Sequence, residues 1–328
     1  MGTITVTETV WRGMEAWTLA ADELELVITR IGAHIAAVRA PGDDLNPLWQ
    51  PPWPAMRPGE GMSRADLYGD GVEVSLLSAI VGHNLCIDRF GPPRPGENRP
   101  VHGEAGVVEW SLEQADAETI RLTSRLPQAS LAVARIFTID GSTATVSTEV
   151  KPTDGAAHEI EWGEHVTLGD PFLDGARLAA EVDGAWIWGG EPRESWRFPE
   201  ASAEGPVDAA AALAMPPADH ATPVGDIVAT RLTRGGFRAE RPDLGRALTY
   251  EWNADEFPWL CLWTQHRSRA GKPWNGRTRA RGMEFATKPF PEAEVPAERA
   301  SEYQGRPTTC HVPAEGLRRS WTLRWERV

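Results

Sequence analysis

Residues Leu131-Ala132-Val133-Ala134-Arg135-Ile136-Phe137-Thr138-Ile139-Asp140-Gly141-Ser142-Thr143-Ala144-Thr145-Val146-Ser147-Thr148-Glu149-Val150 decide the architecture. Both arms, Leu131–Ile139 and Thr143–Val150, alternate with the two-residue period of a half-buried strand and are rich in β-branched side chains. Asp140-Gly141 stands between them, a strong hairpin signal because both residue types tolerate a positive φ. Upstream, Val107–Glu113 and Thr119–Arg125 alternate likewise, with Ala115-Asp116-Ala117-Glu118 and Pro127-Gln128-Ala129 as breaks. Strands at this even spacing predict an antiparallel sheet.

The pattern extends in both directions. Toward the N-terminus, Thr3–Val10, Ala16–Ala20, Leu24–Thr29 and His34–Arg39 read as short strands, broken at Gly32 and Pro41. Toward the C-terminus the candidates are His158–Thr167, Gly184–Trp188, Asp226–Thr233, Ala247–Trp252, Trp259–Thr264, Met283–Ala286 and Trp321–Trp325. Pro41–Gly61, dense in Pro, Gly and Trp, predicts irregular chain. Val74–Ile80 fits either a short helix or a buried strand, and Val207–Ala214 a short alanine-rich surface helix. No repeat, low-complexity tract or long linker divides the chain. The expectation is an all-β fold, one large antiparallel sandwich with a few short helices, spanning residues 1–328 as a single domain.

Composition narrows the function. The chain has 328 residues, 41% of them hydrophobic, enough for a sizeable core. Its net charge of −14 argues against nucleic acid or an anionic membrane as partner, since both repel an acidic surface. Cys86, Cys261 and Cys310 are widely spaced with no CxxC, which predicts buried free thiols in a reducing compartment. Met1-Gly2-Thr3-Ile4 begins no basic-then-apolar leader, and no window approaches the roughly 18 apolar residues of a membrane span. A cytoplasmic protein is expected. No metal-ligand spacing, dinucleotide fingerprint, P-loop or Gly-x-Ser-x-Gly elbow occurs, so no metal or cofactor is predicted.

Acid–base chemistry has better support. Glu284 lies in Gly282-Met283-Glu284-Phe285-Ala286, and alternation turns it away from its apolar neighbours, toward solvent or a cleft. His102 is held between Pro100 and Gly103, and His165 closes a strand that runs into a turn. A carboxylate in apolar surroundings gains proton affinity, and imidazole exchanges a proton near neutral pH. A glycoside hydrolase needs two facing carboxylates; Glu104, Glu164 or Asp170 could be the second. Among fifteen tryptophans, Trp49, Trp53, Trp186, Trp188 and Trp274 sit among loop residues, where indoles can grip the apolar face of a sugar. Arg267, Arg269, Lys272, Arg277, Arg279 and Arg281 form a basic run just ahead of Glu284. Such arginines either pair with the acidic surface or clamp a carboxylate or phosphate on a substrate.

Val101-His102-Gly103, then Glu164-His165-Val166-Thr167-Leu168, then Met283-Glu284-Phe285-Ala286 with Phe290-Pro291-Glu292-Ala293, resemble the galactose mutarotase (aldose 1-epimerase) family in order and spacing. Ile28-Thr29-Arg30-Ile31-Gly32-Ala33 is similar to that family's opening strand, and the resemblance covers roughly residues 17–327. It implies a galactose mutarotase-like β-supersandwich and a cofactor-independent isomerase of carbohydrate metabolism. Glu284 would take the anomeric proton, His165 would protonate the ring oxygen and His102 would orient the sugar. Arg89, Arg99, His83, Trp162 and Arg281 are the candidates for holding the substrate, which the arginines make a candidate anion. The family usually has Pro-Tyr-Phe-Asn after the second histidine, where this chain has Val166-Thr167-Leu168-Gly169. The likeness is therefore nearer to uncharacterised bacterial members than to the galactose-specific enzymes. A carbohydrate-binding protein without turnover, or a lyase or hydrolase on the same scaffold, are the alternatives.

Overall fold

Strands dominate the computed structural model, which describes residues 3–328. Met1 and Gly2, where the search for a leader begins, lie outside the described residues. The first strands are β1 (Thr5–Trp11), β2 (Met14–Ala20), β3 (Glu25–Thr29), β4 (Ile35–Arg39) and β5 (His83–Asp88). Next come β6 (Ser111–Ala115), β7 (Ile120–Leu126), β8 (Leu131–Asp140), β9 (Thr143–Pro152) and β10 (His158–Gly169). β11 (Arg177–Ala179), β12 (Val182–Ile187), β13 (Val224–Leu232), β14 (Gly236–Arg241) and β15 (Arg246–Trp252) follow. The last are β16 (Trp259–His266), β17 (Arg279–Ala286), β18 (Glu302–Tyr303), β19 (Arg306–Pro307), β20 (Cys310–Val312) and β21 (Leu317–Arg327).

Two antiparallel sheets form a sandwich. The first runs β1-β2-β3-β4-β5-β10-β17-β16-β13-β12, with β20 also paired to β10. The second runs β11-β14-β15-β21-β9-β8-β7-β6. β8 and β9 form the expected hairpin, in register from Leu131↔Pro152 to Asp140↔Thr143, so Gly141 and Ser142 make the loop. Leu122, Phe137, Val146 and Leu323 of the second sheet share one buried core with Leu85, Leu260, Leu262, Met283 and Phe285 of the first.

The central strands of the first sheet do not alternate in burial. β16 is buried throughout, and β17 from Ala280 to Ala286. A strand covered on one side only would alternate. Here the outer face is covered as well: Trp49, Trp53, Tyr68, Val74 and Leu77 pack onto Cys86, Cys261, Trp263, Ala280 and Ala286. Position parity thus sorts β17. Met283 and Phe285 enter the sandwich core, while Ala280 and Ala286 face the covering loops.

The described residues include four short α-helices: α1 (Pro58–Gly61), α2 (Ala65–Tyr68), α3 (Val74–Leu77) and α4 (Ala209–Leu213). Val74–Ile80 therefore begins as a helix, burying Val74, Leu76 and Leu77. α4 matches the alanine-rich stretch and is capped by Asp208, whose Oδ1 accepts from the Ala211 N–H at 2.7 Å. Besides the two- and three-residue strands β11, β18, β19 and β20, too short to show a period, β5 and β14 match no sequence expectation. β5 is buried on both faces and so shows no alternation, and three of the six residues of β14 are charged. β6 begins at Ser111 because the Val107 and Val108 N–H groups turn back onto the Glu104 carbonyl. Among the described residues no helix is long and apolar enough to cross a membrane.

Candidate active site

Glu284 and His165 are direct cross-strand partners on β17 and β10, which puts both side chains on the same face of the sheet. On that face Glu284 Oε1 lies 3.3 Å from His165 Nε2. The other ring nitrogen, Nδ1, is 3.1 Å from Thr167 Oγ1, two residues along the same strand, which fixes the ring's orientation. His102 comes from a loop and reaches the same place, its ring centroid 5.1 Å from that of His165. The loop turns through two left-handed residues, His102 at φ 63° and Gly103 at φ 77°. A Cβ at Gly103 would stand 2.0 Å from the Ile87 carbonyl oxygen, so only glycine fits there. His102 Nδ1 accepts the Gly91 N–H at 3.1 Å, which leaves its proton on Nε2. Gly282 makes room for the carboxylate: a Cβ there would come within 2.2 Å of Glu284 Oε1.

These three residues line a cavity of about 320 Å³ on the outer face of the first sheet. Its walls include Trp49, Trp188, Trp263 and Trp274, with Leu76, Leu77 and Ile80 from the segment around α3. Trp49 and Trp274 stack 5.8 Å apart at 10°, and Trp263 meets Trp274 edge-on at 5.7 Å. Of the five loop tryptophans, Trp49, Trp188 and Trp274 line the cavity. Trp53 packs behind them, its Nε1 donating to the Leu77 carbonyl, and Trp186 packs against Trp259 and Tyr303. Among the described residues no cluster of His, Cys, Asp or Glu is arranged to hold a metal ion.

Burial sets the charge states. It raises the Glu284 carboxyl well above its usual range, although the nearby Arg281 and Arg269 pull it down. It lowers His165 well below the usual imidazole value, with His102 adding to the effect. His102 itself is pushed down to about 3, by burial first and then by Arg269 and Lys288. Both shifts run toward the uncharged forms, a carboxylic acid beside a neutral imidazole.

The five candidates for substrate contact lie elsewhere. His83 and Trp162 point into the sandwich, because they share parity with the core residues Leu85 and Ile87, and Ile160 and Val166. There His83 Nε2 meets Glu164 at 2.8 Å, and Trp162 packs against Phe257. Arg281 is three residues from Glu284 and so occupies the opposite face, donating to Thr264 Oγ1 and the Ala212 carbonyl. Arg89 pairs with Glu97 at 2.8 Å, and Arg99 with Asp88 at 2.6 Å, both away from the cavity wall. Glu164, weighed above as a second carboxylate, is also on the core face, paired with Arg135 at 3.1 Å. Glu104 accepts the Ala129 N–H at 2.9 Å, and Asp170 pairs with Arg279, so neither reaches Glu284.

Trp263, Glu73 and Glu191 line the cavity without standing out in the sequence, and so does Arg269, which nothing local distinguishes within the basic run. Trp263 was detectable, since it lies on the parity of Cys261, the cross-strand partner of Glu284. Glu73 and Glu191 carry no local signal: loops bring them to Arg269 from nearly 200 and nearly 80 residues away.

No family model matches the chain, and no curated protein matches it in sequence. Solved structures do match over nearly its whole length. A protein of Klebsiella pneumoniae, provisionally assigned as an aldose 1-epimerase, superposes with a TM-score of 0.67 at 13% identity, covering 99% of this chain and 84% of the other. A galactose mutarotase-like protein of Clostridium acetobutylicum gives 0.65 at 12% identity, covering 99% of both chains. A provisionally assigned aldose 1-epimerase of Escherichia coli K12 gives 0.62 at 17% identity, covering 96% of this chain and all of the other. The fold is the galactose mutarotase-like β-sandwich.

Proposed function

We propose that this protein is a cofactor-independent isomerase of the aldose 1-epimerase kind, interconverting the anomers of a sugar bound in the tryptophan-walled cavity. The observation that carries the proposal is the 3.3 Å approach of Glu284 Oε1 to His165 Nε2 on the cavity floor. Opening a cyclic hemiacetal requires a base to take the anomeric hydroxyl proton and an acid to protonate the ring oxygen. Two groups sharing one proton supply one acceptor and one donor, within the reach that proton transfer needs. Burial favours the proton on Glu284, so in this scheme it first crosses the 3.3 Å contact to His165 Nε2; the Glu284 carboxylate is then the base and the His165 imidazolium the acid, while the Nε2–H of His102 orients the ring oxygen. Opening breaks the bond from the anomeric carbon to the ring oxygen: the anomeric hydroxyl proton passes to Glu284 and the His165 proton to the ring oxygen, which leaves a carboxylic acid and a neutral imidazole. After rotation about the first carbon–carbon bond, reclosure on the other carbonyl face restores the starting state.

Anomer exchange measured by NMR across a panel of aldoses tests this. Wild type should accelerate exchange of at least one sugar, and Glu284→Gln should lose about 10²–10⁴-fold of that rate while still binding it. Equal inactivity of wild type and variant across the panel overturns the proposal. Sugar binding without turnover by either would instead establish a carbohydrate-binding protein. The three buried free cysteines suit a reducing compartment such as the cytoplasm.

A further inference from the structure

The basic run ahead of Glu284 is spent mostly on the protein itself. Arg267 donates to the His220 carbonyl, Arg279 pairs with Asp170, and Arg281 holds the Ala212 carbonyl at the end of α4. Arg269 alone reaches the cavity, and it is the one Lys or Arg among the described residues that line it. Its guanidinium is already occupied. Nη2 lies 3.0 Å from Glu191 Oε1, and Nη1 lies 3.4 Å from both carboxylate oxygens of Glu73. The same group sits over the rings of Trp263 and Trp274, at 5.5 and 5.1 Å.

Both Nη atoms of this cation therefore already meet carboxylates and two indoles flank it, so an anionic substrate would have to displace those carboxylates to be held. With Arg269 counted as one positive charge and Glu73 and Glu191 as two negative ones, this wall is net negative. An arriving phosphate or carboxylate would lose its water and meet like charge, whereas a sugar hydroxyl can donate to the carboxylate oxygens. Arg269 also ties the residue that caps α3 to the loop after β12, so an anion competing for it would pull that tie apart.

We propose that Glu73 and Glu191 are specificity determinants: by engaging Arg269 and leaving the wall net negative they make the cavity select an uncharged sugar and turn away uronates and sugar phosphates. This rests on the sugar-binding reading given above and goes beyond it by assigning the substrate's charge. Glu191 carries the larger share, because its side chain is 11% exposed against 40% for Glu73 and its charge is the less screened.

Calorimetric titration of the full chain with aldoses, and with the uronates and 6-phosphates of the same aldoses, tests the assignment. The neutral form should bind wild type more tightly than either anionic form by about tenfold or more. Glu191→Gln should narrow that ratio by about tenfold, Glu73→Gln by less, and added salt should narrow it in wild type. Anionic forms that bind wild type as well as their neutral parent overturn the assignment while leaving the sugar reading intact. If no sugar of either kind binds, both fail. A wild-type preference that neither Glu191→Gln nor Glu73→Gln narrows overturns the role of the two carboxylates, and where one variant does not fold the other carries that test.

Discussion

Glu284 shows what one position in a strand can reveal. Met283 and Phe285 face the sandwich core, so Glu284 must face the other way, and covering loops turn that face into a cavity floor. The same parity assigns Arg281 to the opposite side, which a sequence window around Glu284 does not display unless the faces are counted out. Burial of Glu284 has a consequence for stability. Its folded-state proton affinity is raised above the usual carboxyl value of 4.5, so folded and unfolded chains both hold the proton at lower pH. As pH rises above that value, the unfolded chain ionises first and gains free energy that the folded chain does not. Stability from this group is therefore full in acid and declines toward neutral pH. Glu284→Gln removes the effect, so its melting temperature relative to wild type should climb between about pH 4 and pH 7. A difference that stays flat or falls over that range would show that Glu284 is ionised in the folded protein.

At the scale of elements, β10 serves two sites with consecutive residues. His165 faces the cavity, and Glu164 faces the core, where its Oε2 meets His83 Nε2 at 2.8 Å and Arg135 Nη2 at 3.1 Å. Tyr250 OH extends the cluster, 3.3 Å from His83 Nδ1. Arg135 comes from β8 and Tyr250 from β15, so the cluster links the second sheet to the back of the strand that holds His165. Both charged side chains of the Arg135–Glu164 pair are fully buried. Losing one member strands the other charge, and Arg135→Met should cost about 3–5 kcal/mol in urea unfolding. Arg135→Met combined with Glu164→Gln should cost less than the sum of the single changes, because the second removes the stranded charge. Additive losses would mean that the two residues act independently. This cluster was illegible in the sequence, since Arg135 interrupts an alternating strand with a residue that reads as exposed.

For the whole molecule, the double cover of the first sheet predicts where the chain opens last. β10, β16 and β17 lie between the sandwich core and the roof of loops, whereas β6 is exposed at every residue and ends its sheet. Hydrogen exchange should be slowest in the three central strands and fastest in β6 and the edge strand β1. Rapid exchange in β17 would show that the roof does not protect the floor of the cavity.

The antiparallel sandwich is legible in the chain alone, because a two-residue period and an Asp-Gly turn are local properties of chain geometry. So is which carboxylate lies among apolar neighbours, and the order of His102, His165 and Glu284 along the chain. Which basic and aromatic residues share a wall with them emerges from the packing of distant segments. Glu73, Glu191 and Arg269 meet across loops whose packing no local period encodes, and their ion pairs exist only once the loops close over the sheet.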